Sequence, residues 1–232
     1  MKLKKIIEFI NEKIPQSLAL SYDKVGFKGD YDLNQDIKSV KIYMDLLPRY
    51  DADCENTLII THHSPLFVPK TPTYVIHSNW DIMDGGANDA LAETLKLEVV
   101  GYFDDSTKIG RVCRSNQTFA VLKRNILDNF THVRIVNKLG DDEFIENVGI
   151  VSGFGLKNPY YTELARDKNL DILISGDLTQ ECAILAKNLG VTLIDLNHHE
   201  SEVPGLHALG DVLSELDVDI EIIDEKPIEE LK

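Results

Sequence analysis

Four of the seven histidines in this 232-residue chain stand as adjacent pairs, His62-His63 and His198-His199. Imidazole can act as acid, base or metal ligand near neutral pH, so paired imidazoles are a natural place to look for chemistry. Neighbouring side chains in a strand point to opposite faces, and two adjacent histidines converge only where the backbone turns. At the first pair the turn is written into the sequence, because Ser64-Pro65 follow at once and Pro65, Pro69 and Pro72 make the continuation a loop. The apolar run Thr57 to Ile60 precedes it, so the imidazoles stand beyond the carboxyl end of a predicted strand, where open α/β sheets bind ligands. Two readings of this pair stand: a site, or one buried structural histidine beside one in solvent.

A second element is His77-Ser-Asn-Trp-Asp81, followed by the double glycine Gly85-Gly86. A four-residue separation can bring His77 and Asp81 to one side of a turn, and a carboxylate there suits Mn²⁺, Mg²⁺, Fe²⁺ or Zn²⁺. The alternative is Asp81 as a cap or turn residue. The third element is Asn197-His198-His199-Glu200-Ser201-Glu202, where one helical turn would join His198 to Glu202. Pro204 and Gly205 are expected to cut that segment short, and a solvated polar loop is its alternative. Taken together, His, His, Asp, His and Glu are too many ligands for one structural zinc, and thiolates are missing. The set suits two divalent ions about 3.5 Å apart, the arrangement used in metal-assisted hydrolysis.

These residues need strand ends to stand on. Strand-like runs lie at Ser39 to Met44, Thr57 to Ile60, Val99 to Phe103, Val148 to Val151, Ile172 to Ser175, Val191 to Leu196 and Ile220 to Ile223. Helical patterns alternate with them. Leu3, Ile6, Ile7, Ile10 and Ile14 define an opening helix ended before Pro15; others begin at Asn88 and at Thr179, the last stopped by Gly190. Strand and helix in alternation predict an α/β fold with a largely parallel sheet. The run Leu58 to His63 is echoed by Leu193 to His199, either by chance or because two α/β halves each present a strand end to one cleft. The polar stretches at 104–108 and 138–143 are candidate boundaries, and the expected halves are 1–108 and 109–232.

Composition narrows the partners. With 24 Lys+Arg against 39 Asp+Glu the net charge is −15, which repels phosphate backbones and anionic membrane surfaces, so nucleic acid is a poor partner. No apolar run approaches a membrane span. Cys54, Cys113 and Cys182 have no C-x-x-C spacing and read as reduced thiols of a cytoplasmic protein.

With these motifs in hand, the chain resembles the Nif-three-like or YbgI-like proteins, also named GTP cyclohydrolase I type 2 homologues. The resemblance covers most of the chain. It is carried by Asp23-x-x-Gly26, Ile60-Thr-His62-His63-Ser-Pro65, His77-Ser-Asn-Trp-Asp81 with its Gly-Gly-Ala-Asn-Asp continuation, Ser175-Gly176-Asp177, and His198-His-Glu-Ser-Glu202. It implies two intertwined α/β halves, a cleft holding two divalent metal ions per chain (Fe, Mn, Zn or Mg), and a ring-shaped homohexamer. By position it puts the metal ligands on His62, His63, Asp81, His198 and Glu202. His77 is implied to orient the site or handle protons, and Asp177 to support a ligand from behind. Phe154, in Ser152-Gly-Phe-Gly, departs from the family's small residue, and Val-Pro-Gly after Glu202 departs from its basic, glycine-rich continuation. The expected function is a metal-dependent hydrolase of a small anionic substrate, nucleotide-like or a phosphoester. The alternative is a non-catalytic metal-binding or metal-delivering scaffold. No P-loop or other nucleotide fingerprint accompanies the cyclohydrolase name.

Overall fold

The computed structural model describes residues 1–51 and 54–228. In chain order its elements are α1 (Leu3–Lys13), β1 (Gly26–Phe27), β2 (Ser39–Tyr43), β3 (Thr57–Thr61), β4 (Thr73–Val75), α2 (Ser78–Ile82), α3 (Ala87–Thr94), β5 (Glu98–Tyr102) and β6 (Arg111–Thr118). There follow α4 (Phe119–Asn129), β7 (Arg134–Val136), β8 (Phe144–Ile150), α5 (Pro159–Asp167), β9 (Ile172–Ser175), α6 (Gln180–Leu189), β10 (Thr192–Asp195), α7 (His198–Leu213) and β11 (Asp219–Ile223). They form two compact units, Met1–Gly86 with Leu206–Lys232, and Ala87–Gly205.

The first unit is built on the sheet β1-β4-β3-β2-β11, in which β11, β2, β3 and β4 pair in parallel and β1 closes the edge antiparallel to β4. Every residue of β3 is buried, as expected of a central parallel strand covered on both faces. Leu3, Ile6, Ile10 and Ile14 of the opening helix are fully buried, and Pro15 disfavours helical backbone at Ile14 and ends it. Strands β2 and β3 end level, with Tyr43 opposite Thr61. Backbone bonds from His62 N to Tyr43 O (2.9 Å) and from His63 N to Met44 O (3.0 Å) carry the pairing two residues further. The distal half of α7 packs here, where a Cβ on Gly210 would lie 2.4 Å from Ile222 Cδ1.

The second unit carries the sheet β5-β6-β8-β9-β10-β7. Only β8, β9 and β10 run parallel; β5/β6, β6/β8 and β10/β7 are antiparallel, so the expectation of a largely parallel sheet fails here. For the β5/β6 pair the cause lies in the polar stretch 104–108. Asp104 accepts hydrogen bonds from Ser106 N, Ser106 Oγ and Thr107 Oγ1, closing a tight turn between β5 and β6. That stretch is therefore a hairpin turn within one unit, and the unit begins upstream at Ala87. Residues 138–143 likewise join two strands of the same sheet, β7 and β8. The core gathers Leu91, Leu95, Phe119, Leu122, Val148, Ile172 and Ile194. Helix α6 begins on the Thr179 side chain, which accepts from Cys182 N, and stops at Gly190, whose left-handed backbone (φ +71°) suits glycine. Cys113 and Cys182 are buried, and burial pushes the Cys113 thiol up to about 12. Among the described residues no helix is long and apolar enough to cross a membrane.

Candidate functional site

In the first unit His62 and His63 leave the end of β3 where the loop toward Pro65 begins, and His77 stands immediately before α2. Three ring centroids lie close together: His62 to His63 at 4.9 Å, His62 to His77 at 5.0 Å, His63 to His77 at 5.5 Å. One ring nitrogen from each fits within a sphere of contacts no longer than 4.8 Å. Each Nδ1 is already engaged. His62 Nδ1 lies 3.1 Å from Ile76 O, His63 Nδ1 2.9 Å from Asp45 Oδ1, and His77 Nδ1 2.8 Å from Asp23 Oδ2. These partners only accept, so they assign the proton to Nδ1 and leave Nε2 as the ligating or proton-exchanging atom. This is how metal-binding imidazoles are oriented.

Asp81 sits in the first turn of α2, with Oδ1 3.6 Å from His62 Nε2. Two atoms each about 2.1 Å from one tetrahedral ion stand about 3.4 Å apart, so this spacing suits a shared cation better than a hydrogen bond. Asp23 Oδ2 also accepts from Ser78 N (3.1 Å) and Ser78 Oγ (2.6 Å). Burial acts to raise the Asp23 carboxyl, but the hydrogen bonds from His77 and Ser78 outweigh it and hold it well below the usual carboxylate range. Burial likewise acts to lower His77, yet Asp23 and Asp81 raise it above the ordinary imidazole value.

In the second unit His198 opens α7, and its Nε2 lies 3.2 Å from Glu202 Oε1, one turn along. Its Nδ1 is 2.9 Å from Asp177 Oδ2, a fourth imidazole held from behind. Burial acts to lower His198, but Glu202 and Asp177 override it and raise its pKa to about 9. Glycine makes room for these groups: Gly153 has φ +77°, and a Cβ there would fall 2.2 Å from Glu202 Oε1 and 3.2 Å from His198 Nε2. A cradle that excludes even a methyl group beside an imidazole and a carboxylate fits a small cation. So does the donor chemistry of the first unit: imidazole nitrogen and carboxylate oxygen, with no sulfur.

His62, His63, His77 and Asp81 are brought together, and so are His198, Glu202 and Asp177. The echo of paired histidines is asymmetric, since His198 rather than His199 faces Glu202. Glu200 turns away to accept from Thr131 N and Thr131 Oγ1 and to meet His132 Nδ1 at 2.8 Å. The expected break at Pro204 is corrected, because α7 continues to Leu213; the one backbone bond that proline forfeits is offset by burying Leu206, Leu209 and Leu213. Sequence reasoning gave no role to Asp45 or Asp23. The position of Asp45, just past the end of the strand paired with β3, was the available signal for it.

A family model described as Duf34/NIF3 (NGG1p interacting factor 3) matches residues 1–73 and 70–227. A protein of Methanothermobacter thermautotrophicus named GTP cyclohydrolase 1 type 2 homolog is 36% identical over 225 residues, covering 97% of this chain and 93% of its own. A protein of the same name from Methanocaldococcus jannaschii is 32% identical over 250 residues, covering 96% and 98%. Among solved structures, reduced HcgD from M. jannaschii superposes with a TM-score of 0.83 at 30% identity, covering 97% of this chain and 98% of that one. A Bacillus cereus protein related to NIF3, with a TM-score of 0.80 at 16% identity and coverage of 100% and 99%, shares the fold.

Proposed function

Because the chain belongs to the Duf34/NIF3 family, we propose that it holds two divalent metal ions through His62, His63, Asp81, His198 and Glu202, and that it is a metal-dependent hydrolase of a small anionic substrate. The observation that carries this reading is the common orientation of four imidazoles, each with Nδ1 held by a carboxylate or carbonyl. Divalent ions in such a donor set supply acidified water and polarise a substrate oxygen. The chain's own residues supply the rest. Asp45 and Asp177 fix the rings of His63 and His198. His77, kept basic by Asp23, holds a proton at Nδ1 and can take or give one at Nε2, which suits it to proton transfer during hydrolysis. The relatives' names make GTP the first substrate to try, followed by other nucleotides and phosphoesters. The ring-shaped homohexamer is part of the same proposal, and light scattering reads it.

The test combines elemental analysis with turnover for protein loaded with Mn²⁺, Fe²⁺ or Zn²⁺. Wild type should hold two ions per chain. His63→Ala and Glu202→Ala should lose metal and activity, whereas His77→Gln should keep metal and lose activity. Loss of metal from His77→Gln would make His77 a ligand. Full metal content without turnover on any substrate would favour the carrier alternative, and wild type without bound metal would end both readings.

A further inference from the structure

Phe154 is the departure that the sequence singles out, and its surroundings give it a use. It follows Gly153, the residue whose missing Cβ makes room for Glu202 and His198. Its ring packs 6.0 Å from that of Tyr161, and the Lys157 ammonium stands 5.9 Å from its centroid. The same ammonium lies 3.3 Å from Asp177 Oδ2, the oxygen that accepts from His198 Nδ1. The backbone fixes both partners. Gly155 N donates to Ser175 Oγ (2.9 Å), Leu156 N to Gly176 O (3.0 Å) and Thr179 N to Leu156 O (3.3 Å), so the turn bearing Lys157 is tied to the loop bearing Asp177. Asp177 itself sits in a left-handed backbone conformation, φ +62°.

A cation is thus placed one carboxylate away from His198 in a chain of strongly negative net charge. The Lys157 side chain is 54% exposed, and an ion pair so open to water contributes little. Exchanging Asp177 for an incoming anion therefore costs little, while the Phe154 face biases the ammonium toward this side through a weak cation–π contact. We propose that Lys157, steadied by Phe154, binds the phosphoryl group of the substrate next to His198. The inference rests on the metal-dependent reading above and narrows its substrate to a phosphate-bearing one.

Inorganic phosphate is the probe, titrated calorimetrically into Mn²⁺-loaded full-length protein whose metal content has been measured, with neutral imidazole as a second titrant. Lys157→Ala should retain its manganese and its imidazole affinity and weaken phosphate binding about tenfold or more, the loss expected for a charge-assisted hydrogen bond. Lys157→Arg should restore most of the affinity, and Phe154→Leu should weaken phosphate binding by a smaller factor. Wild-type phosphate affinity in Lys157→Ala would overturn the proposal. So would an equal loss for phosphate and imidazole, or loss of manganese, since either means that Lys157 acts through His198 alone. Wild type that takes up no manganese would sink the metal reading first and this inference with it; wild type that takes up manganese but no phosphate would sink this inference only.

Discussion

In the metal-free chain His198 is a base with a pKa of about 9: burial disfavours its charge, but Glu202 and Asp177 more than compensate. A raised folded pKa gives metal-free stability that is complete below the ordinary imidazole value near 6.5 and is lost as pH rises through about 9. A divalent ion competes for the same nitrogen, so at pH 7 its uptake must expel the His198 proton. Calorimetry in two buffers of different ionisation enthalpy should show this proton leaving, and metal affinity should fall about tenfold per unit of pH on the acid side. Uptake without proton release would remove His198 from the ligand set. Asp45 offers a second test, because it orients His63 without being a proposed ligand. Asp45→Ala should weaken metal binding roughly 10–100-fold in a chelator competition while leaving the circular dichroism spectrum unchanged. Histidines and carboxylates were legible as candidates from type and spacing alone. Asp177, behind His198, was implied by the resemblance; Asp23 and Asp45 were not assigned, because Asp23 meets His77 and Asp45 meets His63 through strand order, which local spacing does not encode.

At the scale of elements, what could be read depended on how a strand is buried. Strands β2, β3, β9 and β10 are covered on both faces or nearly so, and they announce themselves as apolar runs. Strand β6, Arg-Val-Cys-Arg-Ser-Asn-Gln-Thr, escaped because its polar residues leave no such run, although it pairs on both sides, with β5 and β8. Missing β6 also concealed the β5–β6 hairpin and with it the antiparallel half of the second sheet. Proline misled in the other direction at α7, where buried leucines carry the helix past Pro204. The Gly153 turn was visible as a glycine-rich motif, but its reason is steric and needs the helix beside it. Gly153→Ala would force a left-handed residue, at about 1–2 kcal/mol, and drive a Cβ toward Glu202 Oε1, with overpacking adding roughly 1–3 kcal/mol. Thermal unfolding should register that loss, and elemental analysis should show less bound metal. A variant as stable and as metal-replete as wild type would mean that the turn does not define the cradle.

For the whole molecule the decisive quantity is where charge is neutralised. The net charge of −15 counts all 39 carboxylates alike, yet Asp81 and Glu202 differ from those on the solvated surface: they stand beside imidazoles, and Glu202 is buried. Two divalent ions would change the total only modestly while concentrating four positive charges at these few donors, so the outer surface would still repel a nucleic-acid backbone and a small anion would be attracted. The proposed ligands are divided between the two compact units, each of which crowds imidazoles and carboxylates at the ends of its strands. A cation that binds these donors in the native chain and not in the unfolded one should stabilise the native chain by mass action. At a free-metal concentration a thousand times the Kd this amounts to about 4 kcal/mol per ion, or roughly 10 °C in Tm for a chain of this length. Differential scanning calorimetry across a series of free Mn²⁺ concentrations should show Tm climbing with the logarithm of concentration, and chelation should return it to the metal-free value. A Tm indifferent to both would mean that hydrogen bonds within the protein already balance these charges, and the five-residue ligand set would have to be abandoned.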